Sequence, residues 1–368
     1  MGELHLRRLA LIAEAMKVVL LIYGSLDTVS GGNLFDRKLV AHLRARGDTV
    51  EIVSLRRRAY ALNLLDNLTH RNPSGFDVIL QDELTHPSLA LSNHRTHRTQ
   101  IVSIVHHLRS SERRPRWQNA IYRGIEKRYL RSVDGFIFNS EATRASVESL
   151  VRTGKPFVVT SPGGDRVGSS TAEHIRRRAR RSGPLELIYL GAVIPAKGLD
   201  VLLEALSALR RDEFRLAVVG NLRIARGFAE RMRRKARELG LPVKFEGELG
   251  DREVERRLRE SHVLALPSYY EGFGIAYLEG MAHGLPALGI RAGAVPDLVR
   301  DGVNGYLVQP GDAMALARRL NDLAADRGLL VGLSLRALET FHAYPTWEQS
   351  TGRMREFLFA VTDQQRTA

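Results

Sequence analysis

Cysteine is absent from the 368 residues, which excludes a disulfide framework and any thiolate metal site and fits a reducing compartment. No apolar run reaches spanning length, so no transmembrane helix is expected. The first fifteen residues mix apolar and basic side chains without a signal-peptide cleavage site. The dinucleotide fingerprint G-x-G-x-x-G is also missing, which argues against an NAD-dependent enzyme. Acidic residues are in deficit, 41 against 55 basic ones, for a formal net charge of +14. Such an excess points to an anionic partner: a nucleic acid, a membrane surface or a phosphorylated ligand. The densest basic run holds Arg176, Arg177, Arg178, Arg180 and Arg181. It has no interleaved aromatics for base stacking, so a nucleic-acid-binding protein rests on charge alone.

What is present is organised around one stretch. An apolar run of strand length, residues 263–267, precedes Tyr269-Tyr270-Glu271-Gly272-Phe273-Gly274, and a short helix follows that Gly284 and Pro286 terminate. Gly272 and Gly274 therefore fall where a strand hands over to a helix N-terminus. Unpaired backbone N–H groups collect at such a place and attract an anion, and glycine lets the anion approach the main chain. Glu271 lies just before the helix and Glu279 just inside it. A carboxylate offers two acceptor oxygens, which suits the vicinal hydroxyls of a ribose or a hexose. Either glutamate alone is explained by the helix dipole. Together with the backbone anion site they point to a nucleotide sugar.

Strands and helices alternate elsewhere. Residues 18–23, 49–55, 77–81, 100–105, 134–139 and 157–160 read as strands of a first domain, and 185–190 and 214–219 open a second. Between the first strand and the helix carrying Phe35, Leu39, Val40 and Leu43, residues 24–32 form a glycine-rich loop ending in Gly31-Gly32. His106 and His107 come directly after the strand 100–105, and ligands gather at the carboxyl ends of parallel strands. From Trp117, apolar residues recur at Ile121, Ile125 and Tyr129 among many arginines. That segment is either a surface helix packed on its own sheet or a helix lying on a membrane surface. Residues 166–184 read as an exposed basic linker.

The string Glu271-Gly-Phe-Gly, Glu279, Ala282-x-Gly284-x-Pro286 and Asp301-Gly302-x-Asn304-Gly305 resembles the E-x7-E region of retaining family 4 glycosyltransferases. The resemblance implies an α/β protein of GT-B fold, with two Rossmann-like doubly wound domains facing across a cleft. It places an acceptor domain at 16–165, with a helix at 346–368 packing back on it, and a nucleotide-sugar domain at 185–345. Residues 1–15 would be an unconstrained leader. The implied activity is a metal-independent, retaining hexosyl transfer from a nucleoside diphosphate sugar, UDP-sugar ahead of GDP-sugar, with no further cofactor. The implied acceptor is lipid-linked or a saccharide, in cell-envelope glycolipid or polysaccharide synthesis. Such an enzyme is expected in the cytoplasm, peripheral on the inner face of the plasma membrane, with residues 109–131 meeting the anionic surface and no specific nucleic acid bound.

The same resemblance assigns roles. Lys197, in Lys197-Gly198-Leu199-Asp200, would neutralise the donor diphosphate together with the main chain of Gly272, Phe273 and Gly274. Gly31 and Gly32 would approach the donor phosphate and the acceptor. Glu279 would hold the ribose, Glu271 the sugar hydroxyls, and His106 the transferred sugar, with His107 as its competitor. The main chain between strands at Phe245-Glu246-Gly247-Glu248-Leu249 would hold the base. One departure stands out: the family pattern has arginine where this chain has Ala192, so Arg223 or Arg291 would have to replace it, or the donor sits differently. A non-catalytic GT-B scaffold is therefore the second alternative to a transferase.

Overall fold

The computed structural model describes residues 15–28, 30–95, 99–112 and 114–366. The leader expected at 1–15 lies, except for Ala15, outside the described residues, as does Arg113 of the basic segment. The chain divides into two compact units, one of Met1–Pro162 with Trp347–Ala368 and one of Gly163–Thr346.

Unit 1 is built on parallel strands β1 (Lys17–Tyr23), β2 (Thr49–Leu55), β3 (Val78–Asp82), β4 (Gln100–Val105), β5 (Gly135–Phe138) and β6 (Phe157–Val159), in the order β2-β1-β3-β4-β5-β6. Val18, Val19, Leu20 and Leu21 are all buried. A continuous rather than alternating apolar run is what a strand needs when both faces of its sheet are covered. The strand order reverses between β1 and β3, which opens a crevice at their carboxyl ends. The last helix, Trp347–Arg366, belongs to this unit. Trp347 packs edge-on to Phe35 at 6.1 Å between ring centres. The buried Arg355 guanidinium donates to both Asp48 oxygens at 2.7 and 3.0 Å.

Unit 2 repeats the plan with β7 (Leu185–Leu190), β8 (Phe214–Val219), β9 (Val243–Gly247), β10 (Val263–Ala265), β11 (Ala287–Ile290) and β12 (Gly305–Val308), all parallel in the order β12-β11-β10-β7-β8-β9. Counted within the unit from its other edge, that is strand order 3-2-1-4-5-6, the Rossmann arrangement, with its switch point between β7 and β10. Each unit is thus Rossmann-like, as the GT-B expectation requires. Among the described residues, no helix is long and apolar enough to cross a membrane.

Four sequence expectations need correction. Residues 166–184 are not a free linker. They belong to unit 2 and contain the helix Ala172–Ala179, whose Ile175, Arg178 and Ala179 are buried. Arg178, within the stretch expected to be exposed, donates through its guanidinium to the carbonyls of Arg259 at 3.2 Å and Gly284 at 3.1 Å. Both carbonyls lie at helix C-termini, where a cation meets the negative end of the dipole. Gly31 and Gly32 are not loop residues but the first turn of the helix Gly31–Ala45, capped by the Ser30 side chain. Residues 245–247 do not lie between strands; they are the end of β9. Finally, the apolar stripe of the helix Arg116–Ser132 is split: Tyr129 is buried, but Trp117 and Ile121 are 68% and 51% exposed. The face that packs inward carries Tyr122, Glu126, Tyr129 and Leu130.

Candidate functional site

In unit 2 the loops leaving β7 and β10 run side by side from the switch point. They are tied where the Tyr269 N–H donates to the Ala196 carbonyl at 2.8 Å. This brings Lys197, from the first loop, against Glu271, from the second. The ammonium lies 2.7 and 2.8 Å from the two carboxylate oxygens, and the Ser268 hydroxyl donates to Oε1 at 2.6 Å. Glu271 is 6% exposed, so a buried carboxylate is held in one orientation by a cation and a hydroxyl. Lysine has three N–H donors; two are spent on Glu271.

The helix Ile275–Ala282 starts immediately beyond. Its N-cap, Gly274, has φ of 93°, and a Cβ there would come within 2.5 Å of the Tyr277 ring. Only glycine fits, and no side chain then caps the first N–H groups. The Tyr277 hydroxyl donates to the Leu266 carbonyl at 2.7 Å, fixing the helix start to the end of β10. The Phe273 ring is buried edge-on against Tyr344, so of this residue only the main chain is available to a ligand.

Glu279 lies on the buried side of the same helix. Arg166 donates from Nε to its Oε1 at 2.6 Å and also pairs with Asp251. Burial holds the Glu279 carboxyl above its ordinary pKa, with Arg166 pulling the other way. Oε2 makes no hydrogen bond to any described residue. Sequence reasoning missed Arg166; its one signal was a position directly after Gly163-Gly164-Asp165. The loops after β7 and β8 also meet, since the Val193 N–H donates to the Asn221 carbonyl at 2.9 Å. Arg223 stands two residues past Asn221, exposed and without an ion pair among the described residues. Arg291, the other candidate to replace the missing arginine, is instead paired with Asp301 at 2.9 Å. At β9, Glu246 is held by Arg257 and Lys244.

Unit 1 gathers its own cluster at the carboxyl ends of β1, β3 and β4. Gly32 and His106 are brought into contact: a Cβ on Gly32 would lie 3.1 Å from the imidazole Cδ2. His106 Nε2 is 3.2 Å from Asp36 Oδ1, and its main-chain N–H donates to Glu83 at 3.0 Å. Burial works against the imidazolium, but the charge and hydrogen bond of Asp36, then the charges of Glu83 and Asp82, outweigh it and push the pKa up to about 10. Burial and the Asp36 charge push Asp82 up to about 6, and burial and the Asp82 charge hold Glu83 well above its ordinary value. Asp36, Asp82 and His106 lie close enough to hold a cation. With the imidazole protonated, His106 and Asp36 form a buried ion pair. His107, the competitor, is less buried and sits 3.3 Å from Glu112.

Residues 170–337 match the family model of Glycosyl transferases group 1. The chain is 31% identical over 201 residues to a D-inositol 3-phosphate glycosyltransferase of Streptomyces scabiei, covering 51% of this chain and 45% of that protein. It is 25% identical over 253 residues to a GDP-mannose-dependent alpha-(1-6)-phosphatidylinositol monomannoside mannosyltransferase of Mycobacterium tuberculosis, covering 65% of each. The match thus spans less than two thirds of either relative's length. Among solved structures, sucrose-phosphate synthase from Thermosynechococcus elongatus superposes with TM-score 0.77 at 20% identity, over 92% of this chain and 97% of that one. Anabaena HepE in complex with UDP and glucose gives 0.70 at 19%, over 92% and 98%. These two likenesses are of fold.

Proposed function

We propose that this chain, whose residues 170–337 carry a glycosyltransferase group 1 domain, is a retaining, metal-independent hexosyltransferase that uses a nucleoside diphosphate sugar, UDP-sugar ahead of GDP-sugar. The observation that carries the reading is the Lys197–Glu271 pair beside the uncapped start of the helix Ile275–Ala282, at the switch point of unit 2. A diphosphate lodged there meets main-chain N–H groups and the third donor of Lys197. These meet charge that grows as the anomeric C–O bond breaks, which is where fixed donors lower a barrier most. Glu271 holds the sugar hydroxyls. Glu279, steadied by Arg166, offers Oε2 to the ribose. The acceptor hydroxyl bonds the anomeric carbon on the same face and passes its proton to a departing phosphate oxygen.

The acceptor is proposed to be lipid-linked or a saccharide of the cell envelope, met on unit 1. The exposed Trp117 and Ile121 among Arg116, Arg123 and Arg128 support a peripheral seat on the anionic inner face of the plasma membrane. The names of the two curated relatives, one specifying GDP-mannose, make the base the first thing to test. A thermal-shift panel of UDP, GDP, ADP and CMP does so, since a ligand at a hundred times its Kd stabilises by about 2.7 kcal/mol. UDP is expected to raise Tm most. A larger GDP shift changes the base and keeps the class. No shift with any of them overturns the nucleotide-sugar reading, and binding without turnover favours the scaffold suggested by Ala192.

A further inference from the structure

The β2 edge of the unit 1 sheet is open. β2 is a terminal strand, paired on one side to β1. The Thr49 N–H donates to the Met16 carbonyl, and the Leu55 carbonyl accepts the Gly24 N–H. The odd-numbered residues of β2 thus turn their main-chain groups toward β1, and Val50, Ile52 and Ser54 turn theirs outward. The Val50 carbonyl is taken by the Arg44 guanidinium at 2.9 Å. The outward N–H and C=O groups of Ile52 and Ser54 have no partner among the described residues. Glu51, Ile52 and Ser54 are exposed, and Val53 and Leu55 are half-buried.

Sheet edges are usually guarded by proline, a bulge, charges of one sign or a covering element. β2 has no proline and keeps an unbroken register with β1. Its charges are of both signs and lie symmetrically, with Glu51 three residues before Ser54 and Arg57 three residues after it. Both are exposed, and neither makes an ion pair with any described residue.

That symmetry makes the edge complementary to itself. Laid antiparallel on a copy of itself about Ser54, the strand sets Glu51 opposite Arg57 and Val53 opposite Leu55. A two-fold axis makes each of these pairs twice. The odd-numbered residues then form the non-hydrogen-bonded pairs, whose side chains lie closest. The outward groups of Ser54 meet those of its own copy, and those of Ile52 meet residue 56. A register about Ile52 would instead call on the Val50 carbonyl that Arg44 already holds, and it would leave Glu51 opposite Val53.

We propose that two copies of this chain associate through their β2 edges, antiparallel about Ser54, to form one sheet continuous across the pair. The proposal is independent of the transferase reading, since none of these residues belongs to the donor site. Sedimentation velocity of the full chain over a concentration series should show a reversible dimer. Glu51→Arg and Arg57→Glu each set like charges opposite one another twice, and each should weaken the dimer at least about tenfold. The double variant E51R/R57E restores the pairs with their signs exchanged and should dimerise like the wild type.

The register has its own test, because the chain has no cysteine. Ser54→Cys places two thiols on the axis, where the Cα spacing of a hydrogen-bonded antiparallel pair, about 5.5 Å, suits a disulfide. Oxidation should cross-link S54C and not T49C, whose two copies lie far from the axis. A monomer at every concentration overturns the proposal, as does a dimer indifferent to both single reversals. So does a dimer that the double variant fails to restore, or one that T49C cross-links as readily as S54C.

Discussion

A lysine and a glutamate at 2.7 Å neutralise each other before any donor arrives, so each serves the other's geometry as well as the ligand. Lys197→Ala should therefore cut turnover at saturating donor by roughly 100–1,000-fold, the usual cost of losing a donor aimed at developing charge. A steady-state assay checks it, and full turnover would make Lys197 merely a partner of Glu271. Arg223 stands two residues past Asn221, whose carbonyl accepts the N–H of Val193, the neighbour of Ala192. Arg223→Ala should lower turnover about tenfold, the worth of one charge-assisted contact, whereas Arg291→Ala, which breaks an exposed pair, should not. Equal effects would remove Arg223 from the diphosphate.

In unit 1 the imidazolium depends on Asp36. Asp36→Asn should make His106 titrate lower by roughly 1–3 pH units, followed by NMR of the imidazole. The sign for stability follows. A pKa raised from 6.5 to about 10 gives stabilisation that is complete below 6.5 and lost as pH rises through 10. The variant should lose less stability with rising pH, and lose it at a lower pH, since Glu83 and Asp82 still act on the imidazole.

The helix Arg116–Ser132 shows how a correct pattern can mislead at the scale of an element. Residues at every fourth position advance about 40° around the axis per step. From Trp117 to Tyr129 the stripe therefore winds from solvent into the core, and a seam read as one face is really two. Its outer part supports the membrane reading more directly than a wholly buried seam would. Not every cation near it in sequence is available to it. Arg114 is spent on Glu112 and stacked on Tyr122, while Arg116, Arg123 and Arg128 are exposed. Each cation near an anionic leaflet contributes about 1 kcal/mol and is screened by salt. The triple change of those three to glutamate should abolish sedimentation with anionic vesicles and leave the thermal midpoint nearly unchanged. Neutral vesicles should bind little. Equal binding to both kinds would leave no electrostatic attachment, and no binding to anionic vesicles at low salt would leave no membrane seat.

Over the whole molecule, the parts set by local pattern were legible and those set by topology were not. The runs forming β2, β7 and β8 could be bounded to the residue because turn residues bracket short stretches rich in β-branched and apolar side chains. The Lys197–Glu271 pair was named as two roles, though nothing in the spacing puts them in contact. Arg166 meets Glu279, and Asp36 meets His106, across 113 and 70 residues; strand order makes those contacts, and a single sequence does not display it. The same holds for the Arg355–Asp48 pair, 307 residues apart, which joins the last helix to the start of β2 inside unit 1. Asp48 also accepts the Met16 N–H at 2.9 Å. Asp48→Asn removes the charge that the buried Arg355 guanidinium meets at 2.7 and 3.0 Å, and removing one partner of such a pair costs about 3–5 kcal/mol. Replacing both partners by apolar residues of similar volume should cost far less. Both tryptophans, Trp117 and Trp347, lie in unit 1, so their emission in a urea titration follows that unit while nucleotide binding follows unit 2. The midpoint reported by tryptophan should fall sharply for Asp48→Asn and recover in the double apolar variant. An unchanged midpoint in the single variant would mean that Trp347–Arg366 is held by its apolar contacts alone.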